Sequence, residues 1–145
     1  MKNLLSVIVL LLAGMGTALA APVKTASPVP PFPKTLTNAR YVYVTSYDGD
    51  EFNPNLLPED RHAIAAVQEA LQKSGRFILV YRPREADIVL MVQSRPSEDV
   101  LAVYDAHGWP RNGMYLWRVM GANGLQLGET PLVTDFLQAF ERAAR

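Results

Sequence analysis

The sequence predicts an α+β fold, a two-layer sandwich in which a mixed five-stranded sheet carries two helices on one face. The predicted order along the chain is β-α-β-β-β-β-α. The run Ile88–Val92 is apolar throughout, which is typical of a strand covered on both faces in the middle of a sheet. Two segments, beginning at Pro58 and at Pro131, place apolar residues on one side at helical spacing.

The chain begins with a pattern typical of a secretory signal peptide. Lys2 precedes an apolar run over residues 4–13, and Ala18-Leu19-Ala20 fits an A-x-A cleavage site. The run is roughly half the ~20 apolar residues that a membrane-spanning helix needs. We therefore expect residues 1–20 to be removed and the mature chain, without a membrane span, to be periplasmic or secreted.

The composition changes over residues 21–37, where prolines stand at Pro22, Pro28, Pro30, Pro31 and Pro33. Proline lacks a backbone donor and has a fixed φ, so this segment cannot enter a helix or the interior of a sheet. We expect an extended linker here, followed by one α+β domain over residues 38–145.

Composition excludes several classes of function. The chain has no cysteine, which excludes disulfides, a thiol nucleophile and a thiolate metal site. The formal net charge is 0, and we see no basic patch of the kind that binds nucleic acid. No cofactor-binding motif is present.

The first half of the domain contains a strand, a loop and a helix. Residues 40–47 alternate between the two faces of a strand, and the polar loop Asp48–Asn55 follows. Pro58 suits the first position of a helix, and Gly75 suits the position just after its end. The apolar stripe of this helix consists of Ile64, Val67 and Leu71.

The second half contains four strands and a helix. Six residues separate the strand Phe77–Tyr81 from Ile88–Val92, so either the two form a hairpin or a single helical turn carries the chain across a neighbouring strand. The strands Val100–Tyr104 and Met114–Met120 continue as an antiparallel meander. Thr130 is the expected N-cap of the last helix.

Four stretches resemble small exported bacterial domains: Ala70–Phe77, Ala86-Asp87, Val103–Asp105 and Leu116–Arg118. They are similar to stretches in the amino-terminal domain of TolB, the curli-secretion CsgG group and the LptE-like envelope lipoproteins, over residues 40–144. The resemblance implies a binding or assembly module without catalytic residues. This chain departs from the lipoprotein members because it has no cysteine to acylate.

The side chains that could bind a metal, catalyse a reaction or bind a ligand allow three hypotheses. In the loop Asp48–Asn55, oxygen ligands on Asp48, Asp50 and Asn53 are of the kind that Ca²⁺ uses, although the spacing is not that of an EF-hand and the same residues are ordinary in turns. His107 with Asp105 is the candidate pair of a secreted hydrolase, although no nucleophile motif accompanies it.

The third hypothesis is an aromatic binding patch formed by Trp109, Tyr115 and Trp117. Alternation places Tyr115 and Trp117 on one strand face, where they could hold a partner or a sugar ring. The alternative, which we favour, is that Trp117 packs under a helix and Trp109 holds a turn, because tryptophan is highly buried on average.

The function that we expect is a non-catalytic exported module that binds an envelope or extracellular protein, or a small ligand. Strand addition at an exposed sheet edge is a physical mechanism that needs no special side chains. The apolar strand Ile88–Val92 needs cover on both faces, but the two helices share one face. Something else must cover the second face: the proline-rich segment, large aromatic residues or a partner.

Overall fold

The computed structural model describes residues 28–145. The predicted signal peptide and the first part of the proline-rich segment lie outside these residues. The sequence prediction of an α+β fold with a mixed five-stranded sheet and two helices is confirmed. The elements are β1 (Tyr41–Ser46), α1 (Pro58–Ser74), β2 (Ile78–Val80), β3 (Ile88–Arg95), β4 (Glu98–Asp105), β5 (Trp117–Gly121) and α2 (Pro131–Ala144).

The strand order across the sheet is β2-β1-β3-β4-β5. The apolar run therefore forms the central strand β3, as the sequence predicts. β1 is parallel to both of its neighbours, while β3, β4 and β5 form the expected antiparallel meander. β1 lies between β2 and β3, and a short 3₁₀ turn, Pro83–Glu85, carries the chain across it. Of the two alternatives predicted for this connection, the helical turn is therefore confirmed and the hairpin is wrong.

Both helices pack on one face of the sheet, which we call the helix-covered face. Its core joins the buried stripes of α1 and α2 to every second residue of the central strands. Phe136 and Phe140 of α2 are fully buried there. Their rings pack against Phe32, and Phe136 also packs against Trp117 at 5.9 Å between ring centroids.

The ends of the helices follow the sequence signals with one exception. Gly75 takes the left-handed conformation at φ 64°, and its N–H donates to the carbonyl of Gln72, as expected for a helix terminator. Thr130 precedes α2 but makes no side-chain capping bond. Its backbone carbonyl instead accepts the N–H groups of Val133 and Thr134, so Thr130 is the N-cap as predicted, although its hydroxyl does not bond to the helix end.

The proline-rich segment joins the folded domain earlier than residue 38. Phe32 and Leu36 are buried in the helix-covered core, and the indole Nε1 of Trp117 donates to the carbonyl of Pro30 at 2.9 Å. Of the predicted linker, the part that the structure describes is thus packed against the domain. Proline prevents this segment from entering the sheet, but it does not prevent an apolar side chain between prolines from entering the core.

No helix within residues 28–145 combines the length and the apolar character needed to cross a bilayer.

Candidate functional site

The second face of the sheet is covered over its centre by aromatic side chains of β1 and β4 and by the loops that contain Ala86, Ala106 and Trp109, and we call it the loop-covered face. A second cluster of buried side chains lies there, including Tyr43, Val89, Met91 and Tyr104, with Trp109 packed against it. The rings of Tyr43 and Trp109 meet at 6.1 Å between centroids. Large aromatic residues, one of the three covers expected from the sequence, therefore close this face over the central strand.

Each aromatic cover that carries a hydroxyl has a polar partner. The Tyr43 hydroxyl donates to Asp50 Oδ2 at 2.8 Å, and the Tyr47 and Tyr104 hydroxyl oxygens lie 3.5 Å apart. Burial, and then the bond to Asp50, raise the pKa of Tyr43 to about 12. Burial also raises the pKa of Tyr104 above its ordinary value. Both phenols are therefore neutral at physiological pH.

The cover ends at β5, where a groove of about 510 Å³ follows the edge of the sheet. Leu116 and Met120 line it with about 45% of their surface exposed, and Met114 beside them is more exposed still. The proline-rich segment, from Pro28 to Pro31, also lines this groove. We call this feature the β5 groove.

The polar residues of the β5 groove are Glu98, Arg118 and Asp135. The guanidinium of Arg118 lies 5.5 Å from the centre of the Tyr115 ring, and its Nε is buried without a hydrogen-bond partner among the described residues. Burial raises the pKa of Asp135 above its ordinary value, against a smaller opposing effect of Arg142. The groove thus combines an apolar strip with charged groups of both signs.

The three aromatic residues of the predicted patch do not lie together. Trp117 is 2% exposed and belongs to the helix-covered core, so it is not available to a ligand. Tyr115 precedes β5, is 46% exposed and lies in the β5 groove. Trp109 packs on the loop-covered face. The predicted strand begins too early, because the paired register with β4 starts at Trp117. One further bond, from the Leu116 N–H to the Val103 carbonyl, precedes it, so the alternation does not extend back to Tyr115.

The acidic loop is held by the protein's own hydrogen bonds. Both carboxylate oxygens of Asp50 accept, one from Tyr43 and one from the N–H of Phe52. The Asn53 amide donates to the Asp48 carbonyl at 2.6 Å, and Asp48 Oδ2 lies 3.4 Å from Arg95. Within residues 28–145, no three His, Cys, Asp or Glu residues are grouped as metal ligands. This arrangement gives the calcium hypothesis no geometric support.

His107 and Asp105 are in contact, as the hydrolase hypothesis requires. His107 Nδ1 lies 3.1 Å from Asp105 Oδ1, and the backbone N–H of His107 also donates to that oxygen. The His107 side chain is 82% exposed. In the described part of the chain it makes no hydrogen bond to a serine or threonine hydroxyl, so the pair lacks a positioned nucleophile.

The sequence reasoning missed the β5 groove, although a signal was present. Leu116, Arg118 and Met120 alternate with the buried Trp117 and Val119. Apolar residues on the outward side of the last strand of a meander indicate an edge strand whose second face is not fully covered. The sequence hypothesis instead considered the neighbouring aromatic residues Tyr115 and Trp117.

Comparisons with known proteins give weak similarity to solved structures. No protein-family profile and no curated protein matches the chain. Among solved structures, a dodecamer of PelC from Paraburkholderia phytofirmans, in a single-residue variant, shares 16% identical residues at a TM-score of 0.40. The match covers 82% of this chain and 96% of that chain. Similarity at this level does not establish a common function.

Proposed function

We propose that the protein is a non-catalytic exported module that binds an extended segment of a partner protein by strand addition at β5. The observation that carries this proposal is an edge strand bordered by an apolar groove. An added strand gains affinity from backbone hydrogen bonds and specificity from pockets for every second side chain. The β5 groove supplies such a pocket through Leu116 and Met120.

The other edge of the sheet is less suited to this role. β2 consists of only three residues, Ile78–Val80, whereas β5 has five and is continued by the exposed residues Met114–Leu116. Short edge strands are one way in which proteins avoid unwanted strand pairing. The two edges therefore differ in the length of backbone and in the apolar area that they offer.

Arg118 supports the same location. Its buried Nε–H has no acceptor among residues 28–145, and a buried donor without a partner costs about 1–3 kcal/mol. If the half-buried Arg118 side chain turns toward the groove, a carbonyl or carboxylate of a bound segment accepts this N–H. Glu98 and Asp135 at the same groove favour a segment that also carries a basic residue.

The test is a selection of displayed peptides about ten residues long, the upper length of ordinary strands, against the chain from residue 21 onward. We expect enriched peptides with alternating apolar residues. N-methylation of every second backbone amide should abolish binding in one phase and leave it unchanged in the other, because an added strand points alternate N–H groups toward the edge.

A lysine at each edge provides the matched control. Met120→Lys should reduce peptide affinity by about tenfold or more, because a charge would enter the apolar strip. Ile78→Lys places the same charge at the β2 edge on a side chain of similar exposure and should leave affinity unchanged. Equal effects of the two variants, or peptides insensitive to N-methylation in both phases, would exclude strand addition at β5.

Export is tested separately. We expect expression of the full chain in a bacterium to yield a periplasmic or secreted form whose first residue, by mass spectrometry, is Ala21. Replacing Ala18 and Ala20 by bulky residues should prevent this cleavage, because the site requires small side chains. An intact amino terminus on the protein made from the unaltered chain would contradict the proposal.

A further inference from the structure

A second cavity lies at the end of the sheet where β3 begins and β4 ends, and its charge is entirely positive. It has a volume of about 680 Å³. Four basic residues line it, namely Arg82, Arg84, His107 and Arg111, and none of its lining residues is acidic. We call it the arginine cavity. In a chain of net charge 0, this concentration of guanidinium groups is a local feature.

The arginines of this cavity are largely free to bind a ligand. Arg84 and Arg111 make no ion pair within the described residues 28–145, and the only carboxylate near Arg82 is Glu85 at 3.7 Å, with both side chains exposed. An ion pair of that length and exposure contributes little. Guanidinium groups bind carboxylate and phosphate groups through paired N–H donors, so the cavity presents three sets of such donors.

The remaining wall is apolar and rigidly held. The Trp109 ring packs edge-on against Tyr43, and the backbone N–H of Trp109 donates to the Asp105 carbonyl at 3.2 Å. Pro83, Pro110 and two alanines complete the lining. An indole beside prolines offers a flat apolar surface of the kind on which a sugar ring stacks. The acidic residues Asp87 and Asp105 line a different, smaller cavity on the other side of His107.

We propose that the arginine cavity binds an acidic sugar, whose ring packs against Trp109 while its carboxylate or phosphate groups pair with Arg82, Arg84 and Arg111. Two features of the cavity, the absence of acidic lining and the apolar wall, together favour a ligand that combines anionic groups with an apolar C–H face. The site lies apart from the β5 groove and goes beyond the peptide binding proposed above.

The test is calorimetry on the chain from residue 21 onward with three ligands: an oligogalacturonate, a hexose phosphate and a neutral oligosaccharide of matched length. We expect one or both acidic ligands to bind at least about tenfold more tightly than the neutral one. The stronger of the two identifies carboxylate or phosphate as the recognised group. Raising NaCl from about 50 mM to about 500 mM should weaken binding, because screening reduces charge pairing.

Variants locate the site. Arg84→Gln with Arg111→Gln should lower the affinity for the acidic ligand by about tenfold or more. Arg142→Gln with Arg145→Gln removes the same charge from the exposed end of α2 and should leave affinity unchanged. Trp109→Phe keeps the arginines but removes the indole at the cavity, so the ligand-induced change in tryptophan fluorescence should disappear while the buried Trp117 still emits.

Met120→Lys separates this site from the β5 groove, since it should leave sugar binding intact. Circular dichroism spectra identical to that of the unaltered chain would establish that each variant is folded. The proposal is overturned if the neutral sugar binds equally well, if both arginine pairs have the same effect, or if single-stranded DNA competes at the cavity more strongly than either acidic sugar.

Discussion

The two faces of the sheet are closed by different means. On the helix-covered face, α1 and α2 supply large apolar side chains and none of the deeply buried aromatic residues there is a tyrosine. On the loop-covered face, the cover consists of Tyr43, Tyr104 and Trp109, which each have an apolar ring and a polar group. Along the single strand β3, Leu90 lies on the helix-covered face and Val89 lies on the loop-covered face.

This difference shows where a small domain can place binding sites. The helices bury the centre of one face and the loops help to bury the centre of the other, while cavities lie at the margins of the sheet. The β5 groove lies at the edge of the sheet, where Asp135 of α2 and the proline-rich segment also line it. The arginine cavity lies at the margin of the loop cover, and Trp109 belongs to both the cover and the cavity. Loops carry binding residues more often than the elements that support them.

The largest effect on the free energy of unfolding is expected from a change in the helix-covered face. Phe136→Ala should lower the free energy of unfolding by about 3–5 kcal/mol, since it removes a fully buried ring that packs against four other aromatic rings. Phe52 is 69% exposed, so Phe52→Ala is the matched control and should cost far less. Urea denaturation measures both, and similar losses would contradict the assigned core.

A matched pair of valines compares the two faces directly. Val92 and Val89 are both fully buried on β3, on the helix-covered and the loop-covered face respectively. Val92→Ala should cost about 2–3 kcal/mol and Val89→Ala about 1–2 kcal/mol, because loops can collapse into the space more readily than helices. If Val89→Ala costs more in urea denaturation, the loop cover is the more rigid of the two.

The tyrosine cover makes stability sensitive to alkaline pH. Below pH 10 Tyr43 is protonated in both states, but between pH 10 and about 12 the unfolded chain ionises while the folded protein stays neutral. The unfolded state then binds fewer protons, so stability falls as pH rises. Tyr43→Phe should reduce this fall, and should cost about 1 kcal/mol at pH 7 through the lost bond to Asp50.

The loss of stability at pH 7 and the fall in stability above pH 10 distinguish the effect of the lost hydrogen bond from that of phenol ionisation. An unchanged fall in stability above pH 10 in Tyr43→Phe, followed by urea denaturation at each pH, would show that the Tyr43 phenol does not stay neutral in the folded state.

The smallest effect is expected at the outer part of the loop cover. Tyr47 is half-exposed, and its hydroxyl is 3.5 Å from that of Tyr104, at the limit of hydrogen bonding. Tyr47→Phe should therefore change the free energy of unfolding by less than about 0.5 kcal/mol. A loss comparable to that of Tyr43→Phe would show that the contact between the two hydroxyls contributes as a true hydrogen bond.

Local patterns in the sequence predicted the elements better than the site. Pro58 and Gly75 bound α1 as expected, because helix ends depend on residues within one turn. The pattern placed Trp117 beside Tyr115, yet the structure buries one and exposes the other, since the start of β5 depends on where β4 ends. Phe32 gave no periodic signal within the proline-rich segment, and its burial depends on a space left between α2 and the sheet.

By itself, the sequence determined the burial of Ile88–Val92 on both faces and the extent of the helices, because each of these follows from apolar spacing along one element. Only the tertiary structure decided what covers the second face, which edge carries the groove, and that Arg82 and Arg84 meet Arg111 at one cavity. These features join residues that are distant along the chain. Their contacts depend on strand order and loop paths, which no local pattern records.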